Sequence, residues 1–168
     1  QSFILFLEKA HQSYWQMLPL NPTSYGDSPY QSFSAVAGNT HLIDFDLLTQ
    51  MGLLKESDYA SVNFGDDPTS VDYERIFYAR RPILEIAVKN FLENQSFQAD
   101  FKHFEKSNRL WLDDFAEFMA IKEHFGNQAL QKWDDKKAVA RDPSALEKYR
   151  ILLAEQIQYF KVTQYLFF

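Results

Sequence analysis

The sequence predicts a chain of the α/β class in which helices predominate. Residues 1–11 have the spacing of an amphipathic helix, with Phe3 and Leu7 on one face, and residues 14–18 have the pattern of a short apolar strand. A helix followed by a strand is half of an α/β repeat. Beyond about residue 55 the apolar residues recur with a helical period, so most of the remaining chain is predicted to be helical.

Composition places the chain among folded proteins and argues against several functions. It has 168 residues, 46% hydrophobic and 17% aromatic, enough for one domain with a core. The net charge is −6 and the 17 Lys and Arg residues form no basic stripe, which argues against a nucleic-acid partner. The apolar runs are too short to span a membrane, and the first residues lack a secretory-signal pattern. The absence of cysteine is compatible with a cytoplasmic protein.

The predicted strand runs into a long polar and aromatic loop. Leu18 precedes Pro19, which favours extended backbone at the end of the strand. Residues 19–41 are then rich in Pro, Gly, Asn, Asp and Ser, the residues that turn a chain. A loop of this length inside a compact domain is uncommon unless it is functional, and binding sites of α/β folds form on loops that follow strand ends. We therefore expect a binding site here.

Helix signals follow the loop. Residues 42–48 could form either a short strand or the start of a helix. Asp72 is predicted to cap a helix over 73–80. Pro82 is predicted to lie in the first turn of a separate helix over 82–93.

The second half of the sequence contains three further helix patterns. Ser96 is predicted to cap the first of them, and residues 111–125 form a strongly amphipathic helix that ends at residues 126–127. Residues 142–143, an Asp-Pro pair, are predicted to open the last helix. Its buried face is predicted to hold Leu146, Tyr149, Leu153, Ile157 and Phe160.

Both ends of the sequence lie within apolar, helix-like patterns. The sequence starts without methionine, and it ends in Phe167 and Phe168 without a polar cap. Intact domains usually finish in polar, exposed residues. We therefore expect the chain to be a piece of a larger protein.

The sequence carries no recognisable catalytic or cofactor motif. Its five glycines cannot form a dinucleotide-binding or phosphate-binding loop, and its four histidines lack metal-ligand spacing, so we predict no cofactor and no metal. The adjacent acidic pairs at 66–67, 113–114 and 134–135 are predicted to be helix caps and surface residues. Asp44 and Asp46 lie among apolar neighbours and are predicted to make structural hydrogen bonds.

The aromatic and polar side chains of the long loop fit a sugar. Tyr25, Tyr30 and Phe33 lie among short hydrogen-bonding residues that include Asp27 and Ser28. A pyranose offers a C–H face to an aromatic ring and hydroxyl groups to serine and carboxylate side chains. Chemistry alone leaves a purely structural loop as the more common explanation.

The loop and several later segments resemble one enzyme family. These segments are WQMLPL at 15–20, YGDSPYQSFSA at 25–35, AGN at 37–39, LIDFDLL at 42–48, VDY at 71–73 and WLDDFAEFMAIK at 111–122. In this order they resemble the bacterial 4-alpha-glucanotransferases, or amylomaltases, of glycoside hydrolase family 77. The resemblance covers essentially the whole chain.

The resemblance implies a cytoplasmic enzyme of maltodextrin metabolism whose fold is a TIM (β/α)8 barrel. Residues 1–41 would be a piece of the barrel, 42–141 an inserted, mostly helical subdomain, and 142–168 a helix that returns to the barrel. Such enzymes transfer α-1,4-glucan segments to another glucan or to glucose by retaining double displacement, without a cofactor. The partners implied are maltooligosaccharides, glucose and the remainder of the chain's own barrel.

The resemblance also implies binding roles for loop residues and places catalysis elsewhere. Tyr30 matches the tyrosine that stacks on the sugar at the cleavage point, and Ser28 matches a residue of the glucan cleft. Tyr25 matches a tyrosine of a second glucan site, with Tyr73 as its aromatic partner, and Asp27 shapes the loop between them. The family's catalytic carboxylates have no match here, so the chain alone is expected to be inactive. Two alternatives stay open: a non-catalytic α-glucan-binding module and a helical interaction domain.

Overall fold

Helices make up most of the structure, a computed structural model in which residues 2–24 and 26–168 are described. The α-helices, in chain order, are α1 (Ser2–Lys9), α2 (Phe45–Gln50), α3 (Tyr73–Glu93), α4 (Gln98–Ser107), α5 (Leu112–His124), α6 (Lys136–Val139), α7 (Pro143–Leu152) and α8 (Ala154–Phe167). Short 3-10 turns occur at Thr40–Leu42, Glu56–Asp58, Gln95–Phe97 and Leu130–Lys132. The prediction of a predominantly helical chain is confirmed.

The predicted strand over 14–18 is wrong for the described residues. These residues belong to no helix or strand. Among the described residues, β-type backbone pairing is limited to one antiparallel bridge between Thr23 and Ser32. Trp15 and Met17 remain 51% and 49% exposed. A strand exists only when a neighbouring strand supplies its hydrogen-bond partners, and an apolar pattern alone cannot provide them.

The first helix forms as predicted but contributes little to the core. α1 ends at Lys9, and His11 adopts a left-handed backbone with φ 55° just beyond it. None of its residues is buried, and the Phe3 ring packs edge-on against Trp15 with 5.1 Å between the ring centroids. The apolar face of α1 is therefore largely open.

Residues 42–48, for which the sequence allowed either a strand or the start of a helix, lead into helix α2. Asp44 caps α2 because its Oδ1 accepts from the backbone N–H of Asp46 at 2.8 Å and of Leu47 at 3.2 Å. The Asp46 carboxylate accepts from the Tyr59 hydroxyl at 2.6 Å. The prediction that both carboxylates make structural hydrogen bonds is confirmed.

The two helices predicted over 73–80 and 82–93 are one continuous helix, α3. Asp72 caps it as predicted, with Oδ1 accepting from the backbone N–H of Arg75 at 2.9 Å. Pro82 lies inside the helix, where it removes one backbone hydrogen bond. The residues after it bury a continuous apolar face, and this packing holds the helix together across the proline. That face consists of Ile83, Leu84, Ala87, Val88 and Phe91.

Ser96 does not cap the next helix, which corrects the sequence prediction. Asn94 instead caps the 3-10 turn at Gln95–Phe97, with Oδ1 accepting from the backbone N–H of Ser96 at 3.0 Å. Helix α4 follows this turn without a side-chain cap of its own. The end of α5 agrees with the prediction, since Gly126 and Asn127 adopt left-handed backbones with φ 65° and 60°.

The last predicted helix is divided into α7 and α8 at Leu153. Asp142 caps α7 as predicted, with Oδ1 accepting from the backbone N–H groups of Ser144 at 3.0 Å and Ala145 at 3.3 Å. The break separates two sets of packing partners: α7 contacts α5 and α6, whereas α8 contacts α5, α3 and α4. Four of the five residues predicted for the buried face are buried, and Ile157 is partly buried.

The acidic pairs act as caps and surface groups, as predicted. Asp113 and Asp114 lie in the first turn of α5, where carboxylates interact favourably with the helix dipole. Asp135 caps α6 through the backbone N–H of Lys137 at 3.0 Å. Asp66 pairs with the Arg75 guanidinium at 2.9 Å.

The core forms where α8 packs against α5 and α3. Phe91, Leu53 and Trp133 are among its fully buried side chains. Residues Val162, Thr163 and Gln164 of α8 are also fully buried, so α8 is the central helix of the described fold. No helix in the part of the chain that the structure describes is long and apolar enough to cross a membrane.

Candidate functional site

Two hydrogen bonds close the base of the long loop. The backbone N–H of Asn39 donates to the Leu20 carbonyl at 2.8 Å, and the Asn21 side-chain amide donates to the Ala37 carbonyl at 3.0 Å. We call this contact between residues 20–21 and 37–39 the loop base. It brings together two segments that the sequence separates by 16 residues, so the intervening chain projects as one unit.

A small hairpin carries the predicted site residues at its end. Thr23 pairs with Ser32, and the backbone N–H of Ser24 donates to the Gln31 carbonyl at 2.9 Å. The chain then reverses through residues 26–30, which we call the loop tip. Gly26 and Asp27 both have left-handed backbones there, with φ 80° and 53°.

The loop tip presents an aromatic ring beside polar groups. Tyr30 is 75% exposed, whereas Asp27 and Ser28 are half-buried. The Ser28 hydroxyl accepts from the backbone N–H of Tyr30 at 3.3 Å, and its carbonyl accepts from the backbone N–H of Gln31 at 3.1 Å. Tyr30, Ser28 and Asp27 therefore lie together at the loop tip, and their binding roles stay a prediction.

The other two predicted site residues are not in this group. Tyr73 is the first residue of α3, on a different element, and it is about half exposed. Tyr25 lies outside the described residues. The pairing of Tyr25 with Tyr73 in a second glucan site stays a prediction.

A polar cluster connects the loop to α3. The His41 ring packs edge-on against Phe77 with 6.1 Å between the centroids. The Arg80 guanidinium lies 3.9 Å from the centroid of the Phe45 ring and donates to the Ile43 carbonyl. Burial lowers the pKa of His41, and the nearby charge of Arg80 lowers it further, while Asp27 opposes both effects. His41 is thus a packed histidine, one of the two environments that the sequence predicted for these residues.

A buried lysine links the loop to the end of α5. The Lys122 ammonium donates to the backbone carbonyls of Asn127 and Gln128, the latter at 3.0 Å. It also lies 5.1 Å from the centroid of the Phe33 ring, which is a cation–π distance. Burial lowers the pKa of Lys122. The sequence placed Lys122 on the amphipathic stripe of α5 but did not indicate its contact with the loop.

A glutamine of α8 holds the loop base. The backbone N–H of Gly38 donates to Gln164 Oε1 at 2.7 Å, and Gln164 Nε2 donates to the Gly38 carbonyl at 3.0 Å. Sequence reasoning missed this contact between residues 126 positions apart. A signal was present, since Gln164 lies four residues from both Phe160 and Phe168 and is a polar residue on an apolar helix stripe.

Comparison with known proteins identifies the family. The sequence model of the family described as 4-alpha-glucanotransferase matches residues 1–168. The chain belongs to this family. The resemblance found in the loop and the later segments is thereby confirmed.

Individual 4-alpha-glucanotransferases match the chain over nearly its whole length. Those of Streptococcus pneumoniae and Clostridium butyricum are 57% and 45% identical over 166 residues, which is 99% of the chain and 33% and 34% of those proteins. An amylomaltase from Streptococcus agalactiae, solved in complex with acarbose, matches with a TM-score of 0.96 and 57% identity over 99% of the chain and 33% of that structure. The chain thus spans about a third of the length of the relatives it matches.

The geometry of this 4-alpha-glucanotransferase family chain suits binding through the loop tip. The exposed Tyr30 ring can cover the apolar face of a ring-shaped ligand, while Ser28 and Asp27 offer a hydroxyl and a carboxylate beside it. Among residues 2–24 and 26–168, no three His, Cys, Asp or Glu side chains are grouped as a metal site would require.

Proposed function

We propose that the chain is the N-terminal portion of a 4-alpha-glucanotransferase. The longer enzyme would transfer α-1,4-glucan segments between maltodextrins, or to glucose, by a retaining double displacement. The observation that carries this proposal is the 57% identity and TM-score of 0.96 to an amylomaltase that holds acarbose. Similarity of this degree over 99% of the chain supports a shared backbone arrangement at the loop as well as in the core.

In this proposal the chain forms one wall of the glucan cleft and supplies no catalytic group. Tyr30 stacks on the sugar next to the bond that is cleaved, and Ser28 lines the cleft beside it. Asp27 shapes the tip, while Tyr25 and Tyr73 bind glucan at a neighbouring site. Two carboxylates about 5 Å apart, as a retaining mechanism needs, come from the rest of the enzyme.

The proposal also assigns a place to each part of the chain in a cytoplasmic TIM-barrel enzyme. Residues 1–41 belong to the barrel, 42–141 form an inserted helical subdomain, and 142–168 return to the barrel wall. The open apolar face of α1 and the exposed side chains of Trp15 and Met17 support this assignment. Large apolar side chains with this exposure are stabilised when other elements cover them.

Disproportionation of maltotriose tests the proposed activity. The longer protein is expected to convert maltotriose into glucose and a ladder of longer maltooligosaccharides, visible by chromatography. The isolated chain is expected to produce no ladder because the carboxylates lie elsewhere. Transfer by the isolated chain would contradict the placement of the catalytic groups, and absence of transfer by the longer protein would contradict the activity itself.

Substitution of Tyr30 tests the assignment of the loop tip. Tyr30→Ala in the longer protein is expected to lower kcat/KM for maltotriose roughly tenfold, the equivalent of about 1.4 kcal/mol of lost ring stacking. Tyr30→Phe keeps the ring and is expected to retain most of the activity. Tyr78→Ala removes a tyrosine of similar exposure, 68% against 75%, from the second turn of α3 and serves as the control. Equal kinetics for Tyr30→Ala and Tyr78→Ala would favour the helical interaction domain with an incidental loop.

A further inference from the structure

Gln164 is an unusual residue for the centre of a helical core. Its relative exposure is 0%, and it lies next to Thr163 and Val162, which are equally buried. An amide side chain carries donors and an acceptor that are costly to bury unless they are paired. Here both ends of the amide pair with the same residue, Gly38, at 2.7 and 3.0 Å. The side chain therefore provides Gly38 with the pair of hydrogen bonds that a neighbouring strand would otherwise supply.

Gly38 is also held on its other side by the end of α8. A β-carbon built on Gly38 would lie 2.0 Å from Cδ1 of Phe167, so the ring already occupies the space of a side chain. Gln164 and Phe167 are three residues apart and lie on neighbouring positions of one helix face. Together they fix the backbone of Gly38 against α8 in both distance and orientation.

The constraint at Gly38 passes along the backbone to the loop tip. Ala37, next to Gly38, accepts from Asn21, and Asn39 on the other side donates to Leu20. These contacts fix the loop base, from which both arms of the hairpin extend. The arms then pair through Thr23 and Ser32, beyond which the tip begins. A shift of Gly38 relative to α8 would therefore move the whole hairpin.

We propose that Gln164 is a positioning residue that sets the location of Tyr30 and Ser28 in the glucan cleft, an inference that rests on the proposed function. Gln164 has no place in the cleft itself and acts only through Gly38 and the loop base. The position of a reacting or stacking group matters at this scale, since displacement by about 1 Å can lower catalysis roughly 100-fold.

Gln164→Leu in the longer protein removes both hydrogen bonds at similar side-chain volume. Gln158→Leu, at a partly buried glutamine of the same helix, is the matched control. We expect kcat/KM for maltotriose to fall roughly 10- to 100-fold in Gln164→Leu and to stay near wild type in Gln158→Leu. We also expect amide hydrogen exchange over residues 20–39 to become at least about tenfold faster in Gln164→Leu alone, since the loop base loses its support.

Gln164→Glu provides a test that does not depend on how well the leucine variant folds. A protonated carboxyl can accept from the Gly38 N–H and donate to the Gly38 carbonyl, whereas an ionised one cannot donate. Burial favours the protonated form. The ratio of kcat/KM for Gln164→Glu to that of wild type should therefore rise as the pH falls from 8 to 5.5. The kinetics are measured well below the melting temperature, where both proteins are fully folded. There, a glutamine that only stabilises the fold would give a constant ratio, with the pH dependence confined to the melting temperature.

The outcomes separate the inference from the proposed function. If wild type transfers glucan and Gln164→Leu matches Gln158→Leu in both kinetics and exchange, the positioning role is overturned. A ratio for Gln164→Glu that stays as low as that of Gln164→Leu even at pH 5.5 overturns it as well, because the protonated carboxyl restores both hydrogen bonds to Gly38. If wild type shows no transfer, the proposed function fails, and the exchange of residues 20–39 alone decides whether Gln164 positions the loop.

Discussion

A methyl group at Gly38 would collide with the ring of Phe167. The β-carbon of Gly38→Ala would lie 2.0, 2.3 and 2.4 Å from Cδ1, Cε1 and Cγ of that ring. Contacts this short cannot persist, and Cγ is the root of the ring, so the side chain cannot simply swing its far end away. Overpacking of this kind costs about 1–3 kcal/mol. We expect Gly38→Ala to lower the free energy of unfolding by that amount.

A double-mutant cycle with Phe167→Ala isolates the collision. Removing the ring removes the three atoms that the methyl group would meet, so Gly38→Ala should cost no more than about 0.5 kcal/mol in the Phe167→Ala background. Gly52→Ala is the matched control. Nothing lies within 4 Å of its added β-carbon, but its φ of +73° is unfavourable for alanine and costs about 1–2 kcal/mol. That cost should be the same with and without Phe167.

Urea unfolding of wild type, the three variants of the cycle, and Gly52→Ala with and without Phe167→Ala measures these differences. We expect a coupling free energy of about 1–3 kcal/mol between Gly38 and Phe167, and none between Gly52 and Phe167. If Gly38→Ala is equally destabilising with and without the Phe167 ring, close packing against α8 is not the reason for glycine at this position.

Two further predictions concern the contacts on either side of the loop. Burial and Arg80 hold the pKa of His41 below its usual 6.5, so the unfolded chain takes up the proton first and the free energy of unfolding should fall as the pH drops below about 6.5. In His41→Gln this part of the pH dependence should vanish, and an unchanged difference between urea unfolding at pH 7.5 and pH 5.5 would contradict it. Lys122→Met should cost about 1–3 kcal/mol because the carbonyls of Asn127 and Gln128 lose their donor. Lys102→Met, at an exposed lysine of α4, should change stability by less than about 0.5 kcal/mol, and similar losses in both variants would show that the carbonyl contacts are unimportant.

Helix ends followed from the sequence because capping acts over a few residues. Asp72 and Asp142 cap α3 and α7 as predicted, and Gly126 with Asn127 ends α5. Each of these signals involves a side chain and a backbone group no more than about three residues apart. The same local rule failed at Ser96, because Ser96 lies inside the 3-10 turn that Asn94 caps, and α4 begins after that turn without a side-chain cap.

Features that depend on distant partners could not be predicted in this way. The segment 14–18 has a strand pattern, but a strand requires a neighbour to pair with. Pro82 is tolerated because the residues that follow it are buried, and Leu153 interrupts a helix pattern where the packing partners change. These outcomes reflect packing against other elements, which local propensity does not contain.

The sequence by itself determined that the chain is mostly helical, that it belongs to the 4-alpha-glucanotransferase family, and that Tyr30, Ser28 and Asp27 share one short loop. Only the tertiary structure decided how that loop is held. Gly38 meets Gln164 and Phe167 across more than 120 residues of sequence, and Phe33 meets Lys122 across nearly 90. Contacts of this kind arise from how helices pack around a core. The role of a buried glutamine can be assigned only when the backbone group with which it forms hydrogen bonds is known.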